Sequence, residues 1–442
     1  MPSFRIVTLG CKLNQADSLA LESRLARLGM TRSHDEADLV VLNTCTVTGA
    51  ADREARQIAR RLRRAHPRAR LVITGCYAER DAAALAQMEG VDHVVGMRDQ
   101  AARVAALAAN AFSIETAALP PEADGRGLGL GPFGATASCD PATGDRTRAF
   151  LKIQDGCDLR CSYCIIPSVR GGARSLPAGE VLRRLEELAV SGYREVVFTG
   201  VNTGDWGRDL EPRMALHDLL RGVVATDSPG RVRLNSLEPR TVTPEVIRLM
   251  ADSGGRLAPH LQVPLQSGCD AVLARMRRNY RTADYRRVLA ALRLANPGAG
   301  LGADVIVGFP GETDGEFETT RRFIEDSELN YLHVFSYSPR PGTPAAEMPG
   351  QVPPAAIKER SARLRELGRD LSLRFRRSFV GRDLELLVLR DARADGRLRA
   401  LSGNFIDLWL DPGPRDPAGL VNRLVTARVT DAGDETLAAL SP

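Results

Sequence analysis

The chain has 442 residues, 43% of them hydrophobic, enough for two to four domains with full cores. Its eight cysteines are too sparse for a small secreted disulfide framework, and no apolar run is long enough to span a bilayer. A net charge of +5, from 60 basic and 55 acidic residues, does not by itself establish a nucleic-acid partner.

Residues 1–115 alternate between strand and helix patterns. Apolar runs at 4–9, 39–42 and 71–73 each lead into a cysteine and then a helix-like stretch, giving Cys11, Cys45 and Cys76. This is the pattern of strand–turn–helix units in a doubly wound parallel sheet, where residues just past the strands' carboxyl ends converge on one crevice. The three cysteines are therefore predicted to meet in space. Isolated buried cysteines act as small hydrophobes; three at equivalent strand ends point instead to cluster ligands. A helix is predicted at 79–88, a strand at 91–95 and a helix at 98–109. Residues 57–70 are strongly basic, and Arg275, Arg277, Arg278 and Arg281 form a second basic group. Each fits either a phosphate-neutralising surface or a solvated helix face.

Residues 116–146 are a glycine- and proline-rich linker, in which Cys139 has no companion spacing. From 147 to 378 the alternation resumes. Strands are predicted at 150–154, 195–199, 232–235, 261–263, 303–307 and 332–335, with helices between most of them, such as 178–190 and 314–326. Six units are too few to close an eight-stranded barrel. After the first strand comes Cys157-x3-Cys161-x2-Cys164. Three thiolates on one loop can hold three irons of a cubane and leave the fourth open, whereas structural zinc takes four closed ligands. A long helix is predicted at 354–379. Short strands at 384–389, 398–401, 406–409 and 424–429 then suggest a small β-barrel over 379–442.

These features carry a resemblance. The Cys-x3-Cys-x2-Cys loop resembles the radical S-adenosylmethionine (SAM) superfamily, and the two triplets together resemble its methylthiotransferases. The runs Gly10-Cys11-Lys12-Leu13-Asn14-Gln15, Asn43-Thr44-Cys45-Thr46-Val47-Thr48 and Thr74-Gly75-Cys76-Tyr77-Ala78 are similar to the bacterial branch acting on threonylcarbamoyladenosine in tRNA. The resemblance implies an α/β chain: a doubly wound domain at 1–115 with an auxiliary cluster, a partial (β/α)6 radical SAM barrel at 147–378, and a TRAM-like β-barrel at 379–442. It implies two 4Fe-4S clusters, one on Cys157, Cys161 and Cys164 and one on Cys11, Cys45 and Cys76. It also implies SAM, with Tyr163, Ser236, Glu238, Gln266 and Gly308 near it.

By the same resemblance, one SAM methylates a sulfur at the auxiliary cluster and another yields a 5′-deoxyadenosyl radical. The radical takes hydrogen from C2 of an adenine, which then accepts the methylthio group. C2 has no acidic proton and no leaving group, so acid–base catalysis cannot easily activate it. The expected partners are tRNA, an electron donor such as flavodoxin or ferredoxin, and a sulfur source, in the cytoplasm and with no membrane. A threonylcarbamoyl group carries a carboxylate, which is costly to desolvate unless paired. Lys12, Arg170 and Arg174 are the candidate cations, although the two arginines also suit a structural role. Isopentenyladenosine in tRNA or an aspartate of a ribosomal protein are the rival substrates within the family. A non-catalytic RNA-binding sensor is the rival class, disfavoured by an open iron on each cluster. Two departures stand out: Cys269 where serine is expected, and Gly200-Val201-Asn202-Thr203-Gly204 in place of a Gly-Gly-Glu type of motif.

Overall fold

The computed structural model describes residues 1–33, 35–114, 147–226 and 229–441; the linker 116–146 and Cys139 lie outside them. Strands β1 (Ser3–Thr8), β2 (Thr31–Arg32), β3 (Leu39–Thr44), β4 (Arg70–Gly75) and β5 (His93–Val95) form a parallel sheet in the order β2-β1-β3-β4-β5. Its helices are α1 (Lys12–Arg27), α2 (Gly49–Ala65), α3 (Cys76–Arg80), α4 (Ala82–Ala86) and α5 (Gln100–Ala111). Every residue of β3 is buried, as a parallel strand covered on two faces requires. Leu39 and Val41 pack with Leu21 of α1 and Val104 of α5. Val40 and Leu42 pack with Ala55 of α2 and Leu85 of α4. The helix predicted at 79–88 starts earlier, at Cys76, and breaks at Asp81, whose φ of −146° is not helical.

The central domain begins with β6 (Ala149–Lys152) and a short antiparallel pair, β7 (Gln154–Asp155) and β8 (Arg174–Ser175), enclosing α6 (Ile166–Arg170). This pair was not expected; it ties together the two ends of the cysteine loop. There follow α7 (Ala178–Val190), β9 (Glu195–Thr199), α8 (Leu216–Val224), β10 (Arg231–Arg233), α9 (Pro244–Asp252), β11 (His260–Gln262), α10 (Asp270–Arg275), α11 (Thr282–Ala295), β12 (Gly300–Val307), α12 (Asp314–Glu325), β13 (Tyr331–Ser336) and α13 (Pro354–Arg377). The sheets β10-β9-β6 and β11-β12-β13 are bridged where Ala258 N donates to Val232 O at 2.8 Å just before β11 begins. The six parallel strands form an open, partial barrel with the largest apolar core of the molecule around it.

The last strands are β14 (Asp383–Ala392), β15 (Leu398–Ser402), β16 (Asp407–Asp411), β17 (Leu424–Ala432) and β18 (Thr436–Leu440), closed in the order β14-β15-β16-β18-β17. The sequence Thr-Leu-Ala-Ala-Leu hides β18, because alanine is a poor strand former. This barrel docks on the core through buried arginines. Arg233 donates to Gly403 O at 2.9 Å and Ser402 O at 3.1 Å, and Arg231 to Leu401 O at 3.2 Å. Both also grip the fully buried Glu195. Burial alone would raise that carboxyl, but Arg233 and Arg231 hold it far below the usual range. No helix among the described residues is long and apolar enough to cross a membrane.

Candidate active site between two cysteine triplets

The scattered triplet comes together through two glycines. Gly10 has φ +101°, and a Cβ there would stand 2.5 Å from Cys45 Cβ. Gly75 has φ +99°, and a Cβ there would stand 2.3 Å from Thr44 O. Only glycine permits these approaches. Cys11 is left exposed at the N-cap of α1, Cys45 buried past β3, and Cys76 buried as the first residue of α3. Their thiols are close enough for thiolate charges to repel one another. Asn14 Nδ2 ties the turns together, donating at 2.9 Å to both Leu9 O and Thr44 O.

Behind Cys76 lies a buried group of four charges. Arg170 Nε donates to Cys76 Sγ at 3.3 Å, Nη1 to both oxygens of Asp155, and Nη2 to Asn14 Oδ1 and Asp17 Oδ2 at 2.8 and 2.9 Å. Lys152 Nζ donates to Asp17 at 2.6 Å and Asp155 at 3.1 Å. Burial opposes the Asp155 charge, yet Arg170 and Lys152 hold its carboxyl well below the usual range. With all five N–H groups engaged, Arg170 has no donor left for a substrate carboxylate, contrary to the expectation from sequence. Arg174 lines, with Arg170 and Lys152, a separate cavity of about 400 Å³ whose walls do not include Lys12. The sequence does carry a signal for this network: Lys152 interrupts an apolar strand, and a buried lysine must be paired.

The loop triplet is held from the far side of the barrel. Cys157 N donates to Gly171 O at 3.1 Å, and Ser162 bonds Met276 O and Arg275 O, at 3.1 and 2.8 Å. Arg278 Nη1 donates to Cys161 Sγ at 3.0 Å, and its Nη2 pairs with Glu238. Of the basic group seen in the sequence, Arg278 is thus turned inward and Arg275 is paired with Glu316 at 2.8 Å. Tyr163 packs against the apolar cluster of Val272, Met276, Phe309 and Tyr337.

Lys12 reaches across to the core, where its Nζ donates to Asn235 Oδ1 at 3.1 Å. Burial, then the charges of Arg148 and Arg233, lowers its pKa to about 8. The next residue, Ser236, has φ +57°, and Gln266 has φ +63°. Left-handed backbone is uncommon outside glycine and gathers at ligand sites; no sequence pattern reveals it. Gly308 also has positive φ, but the space its Cβ would take is filled by Ile357 of α13, 2.4 Å away. Helix packing by itself therefore requires glycine there. Cys269 sits at the N-cap of α10 against the same apolar cluster as Tyr163.

Among the described residues no three His, Cys, Asp or Glu side chains close on one ion-sized point. A single tetrahedral zinc needs that closeness; thiolates binding separate irons of a cubane do not. Burial pushes the Cys76 and Cys164 thiols up to about 12 and Cys157 up to about 11. Iron would replace those protons with metal bonds, so both donor sets fit thiolate-ligated clusters.

Comparison with known proteins agrees with this geometry. Residues 151–324 match the radical SAM superfamily, and residues 3–96 match the uncharacterized protein family UPF0004. The chain is 34% identical to the threonylcarbamoyladenosine tRNA methylthiotransferase MtaB of Bacillus subtilis, covering 96% of this chain and 93% of that protein. It is 35% identical to a tRNA-2-methylthio-N(6)-dimethylallyladenosine synthase of Acidothermus cellulolyticus, covering 99% and 86%. It is 34% identical to the ribosomal protein uS12 methylthiotransferase RimO of Chloroflexus aurantiacus, covering 91% of each. In fold it is similar to the radical SAM methyltransferase TsrM of Kitasatospora setae, with TM-score 0.53 and 16% identity over 78% of this chain and 77% of that one.

Proposed function

Since the chain belongs to the radical SAM methylthiotransferase family and uses SAM with two 4Fe-4S clusters, we propose that it methylthiolates C2 of N6-threonylcarbamoyladenosine beside the anticodon of tRNA. In this reading residues 1–115 carry the auxiliary cluster on Cys11, Cys45 and Cys76. Residues 147–378 form the radical SAM core with Cys157, Cys161 and Cys164, and 379–442 the TRAM-like barrel. When bound, the clusters and SAM supply one-electron cleavage of a sulfonium and the transferable sulfur. Arg170 and Arg278 fix one ligand thiol of each triplet. Ser236 and Gln266, held in left-handed backbone at two strand ends, line the SAM side of the lumen. A one-electron donor of the flavodoxin or ferredoxin class and a sulfur source complete the reaction, in the cytoplasm.

The relatives that act on different substrates are almost equally identical to the chain, so the substrate reading rests on Lys12. Next to Cys11 in the chain, Lys12 reaches the strand end at Asn235, where its ammonium donates to a neutral amide. A threonyl carboxylate would give it a direct ion pair; an isopentenyl group would not. Reconstituted enzyme should methylthiolate tRNA bearing threonylcarbamoyladenosine, and leave tRNA bearing isopentenyladenosine and ribosomal protein uS12 unmodified, by mass spectrometry. Modification of either alternative in preference would overturn the substrate reading and leave the family standing.

A further inference from the structure

Some surface arginines of this molecule are matched by carboxylates. Arg183 pairs with Glu180 and Glu187, Arg221 with Asp218, Arg287 with Asp284 and Arg321 with Glu318. Helix α2 carries four that are not, gathered on one face. Arg53, Arg60, Arg61 and Arg64 are exposed, and among the described residues none has a carboxylate partner.

Their spacing is ordered. At about 100° per residue, Arg53, Arg60 and Arg64 lie on one stripe with Gln57, and Arg61 lies beside it. The stripe is opposite the buried face made by Asp52, Ala55, Ala59 and Leu62. It runs about 16 Å from Arg53 to Arg64. Arg56 and Arg63, nearer the buried side, are used internally, on Tyr77 and Asp92. The dipole favours Arg64 in the last turn of the helix, but the rest of the stripe does not stabilise it. Arg53 stands in the first turn, where the helix dipole disfavours a cation, and Arg60 and Arg64 are like charges four apart. A polyanion bound along the stripe would supply the missing charge.

The helix is also fixed to the site. It begins four residues after Cys45, and Gly49 N donates to Ser338 Oγ of the core at 3.0 Å. In its first turn Asp52 is held by Arg340 at 2.5 Å and by Arg80 at 2.8 Å. Anything bound along the stripe is therefore held in register with the two triplets.

We infer that the outer face of α2 is a docking surface for the sugar–phosphate backbone of the RNA substrate, with Arg53, Arg60, Arg61 and Arg64 contacting successive phosphates. This rests on the tRNA reading above. The partner is RNA because the stripe offers four guanidiniums and no apolar residue, which suits phosphates and not a membrane or a protein groove.

The test compares full-length reconstituted enzyme with a variant carrying Arg53→Gln, Arg60→Gln, Arg61→Gln and Arg64→Gln. A control loses four matched arginines: Arg183→Gln, Arg221→Gln, Arg287→Gln and Arg321→Gln. Binding of an anticodon stem-loop is measured against salt. The α2 variant should bind about tenfold or more weakly, with the salt slope reduced by about 3. The control should keep the wild-type slope, and SAM cleavage without RNA should be equal in all three. Wild-type affinity and slope in the α2 variant would overturn this inference alone. An equal loss in variant and control would also overturn it, by reducing the effect to net charge. Wild-type enzyme that fails to bind the stem-loop would overturn the tRNA reading and this surface with it.

Discussion

The two cysteine triplets reach similar arrangements by opposite routes. The loop triplet is local: Cys157, Cys161 and Cys164 share one connection closed by β7 and β8. The scattered triplet spans 66 positions, from Cys11 to Cys76, and meets only because Gly10 and Gly75 let three strand ends crowd together. In both, one sulfur receives a guanidinium N–H from a distant segment. The surroundings differ. Arg278 answers to Glu238, whereas Arg170 sits among Lys152, Asp17 and Asp155, which join the first domain to the core. A local motif can be made rigid by its own loop; a motif assembled from three strand ends depends on the domain interface.

The largest expected effects test whether the two sites are separable. Replacing Cys157, Cys161 and Cys164 by Ala should halve bound iron and abolish 5′-deoxyadenosine formation. Replacing Cys11, Cys45 and Cys76 should also halve iron and stop methylthiolation, yet leave 5′-deoxyadenosine formation in place. Iron analysis and product chromatography read both outcomes. Loss of SAM cleavage in a folded second variant would show that the triplets work as one unit.

The interface dependence is testable by stability. Asp17→Asn leaves Lys152 and Arg170 facing Asp155 alone, an uncompensated buried charge worth about 3–5 kcal/mol. Denaturant unfolding should show that loss, together with a lower iron occupancy at the scattered triplet only. An unchanged midpoint would mean the interface does not govern the scattered site. Next in size, Lys12→Leu removes one charge-assisted hydrogen bond, worth about 2 kcal/mol or roughly 30-fold in kcat/KM for threonylcarbamoylated tRNA. Cleavage of SAM without tRNA should not change.

Several of these contacts were out of reach of the sequence, for physical reasons. Fully buried parallel strands such as Leu39–Thr44 are legible because burial on both faces demands continuous apolar residues. Cysteines at equivalent strand ends were legible by the same topology. The partners of those cysteines were not. Arg278 lies 117 residues from Cys161 and reads as one more surface cation in a basic run. Arg170 reads as a free cation until its five donors are traced. Ser236 and Gln266 carry left-handed backbone without glycine, a state imposed by tertiary packing.

The smallest expected effect concerns the two arginines. A hydrogen bond to a ligand sulfur offsets negative charge on a cluster and favours its reduced state, so removing it should lower the reduction potential. Arg278→Met should lower the potential of the loop cluster and leave that of the auxiliary cluster unmoved. Arg170→Met should do the reverse, with the greater shift. It leaves Asp17 and Asp155 with only Lys152 between them, adding negative charge next to Cys76 as well as removing the bond. Arg278→Lys keeps the charge but lacks the planar fork that spans Cys161 Sγ and Glu238 together. It should therefore lie between wild type and Arg278→Met. Potentiometric titration followed by electron paramagnetic resonance separates these cases. Equal shifts of both clusters from either variant would mean that diffuse charge, not the bond to each sulfur, sets the potentials.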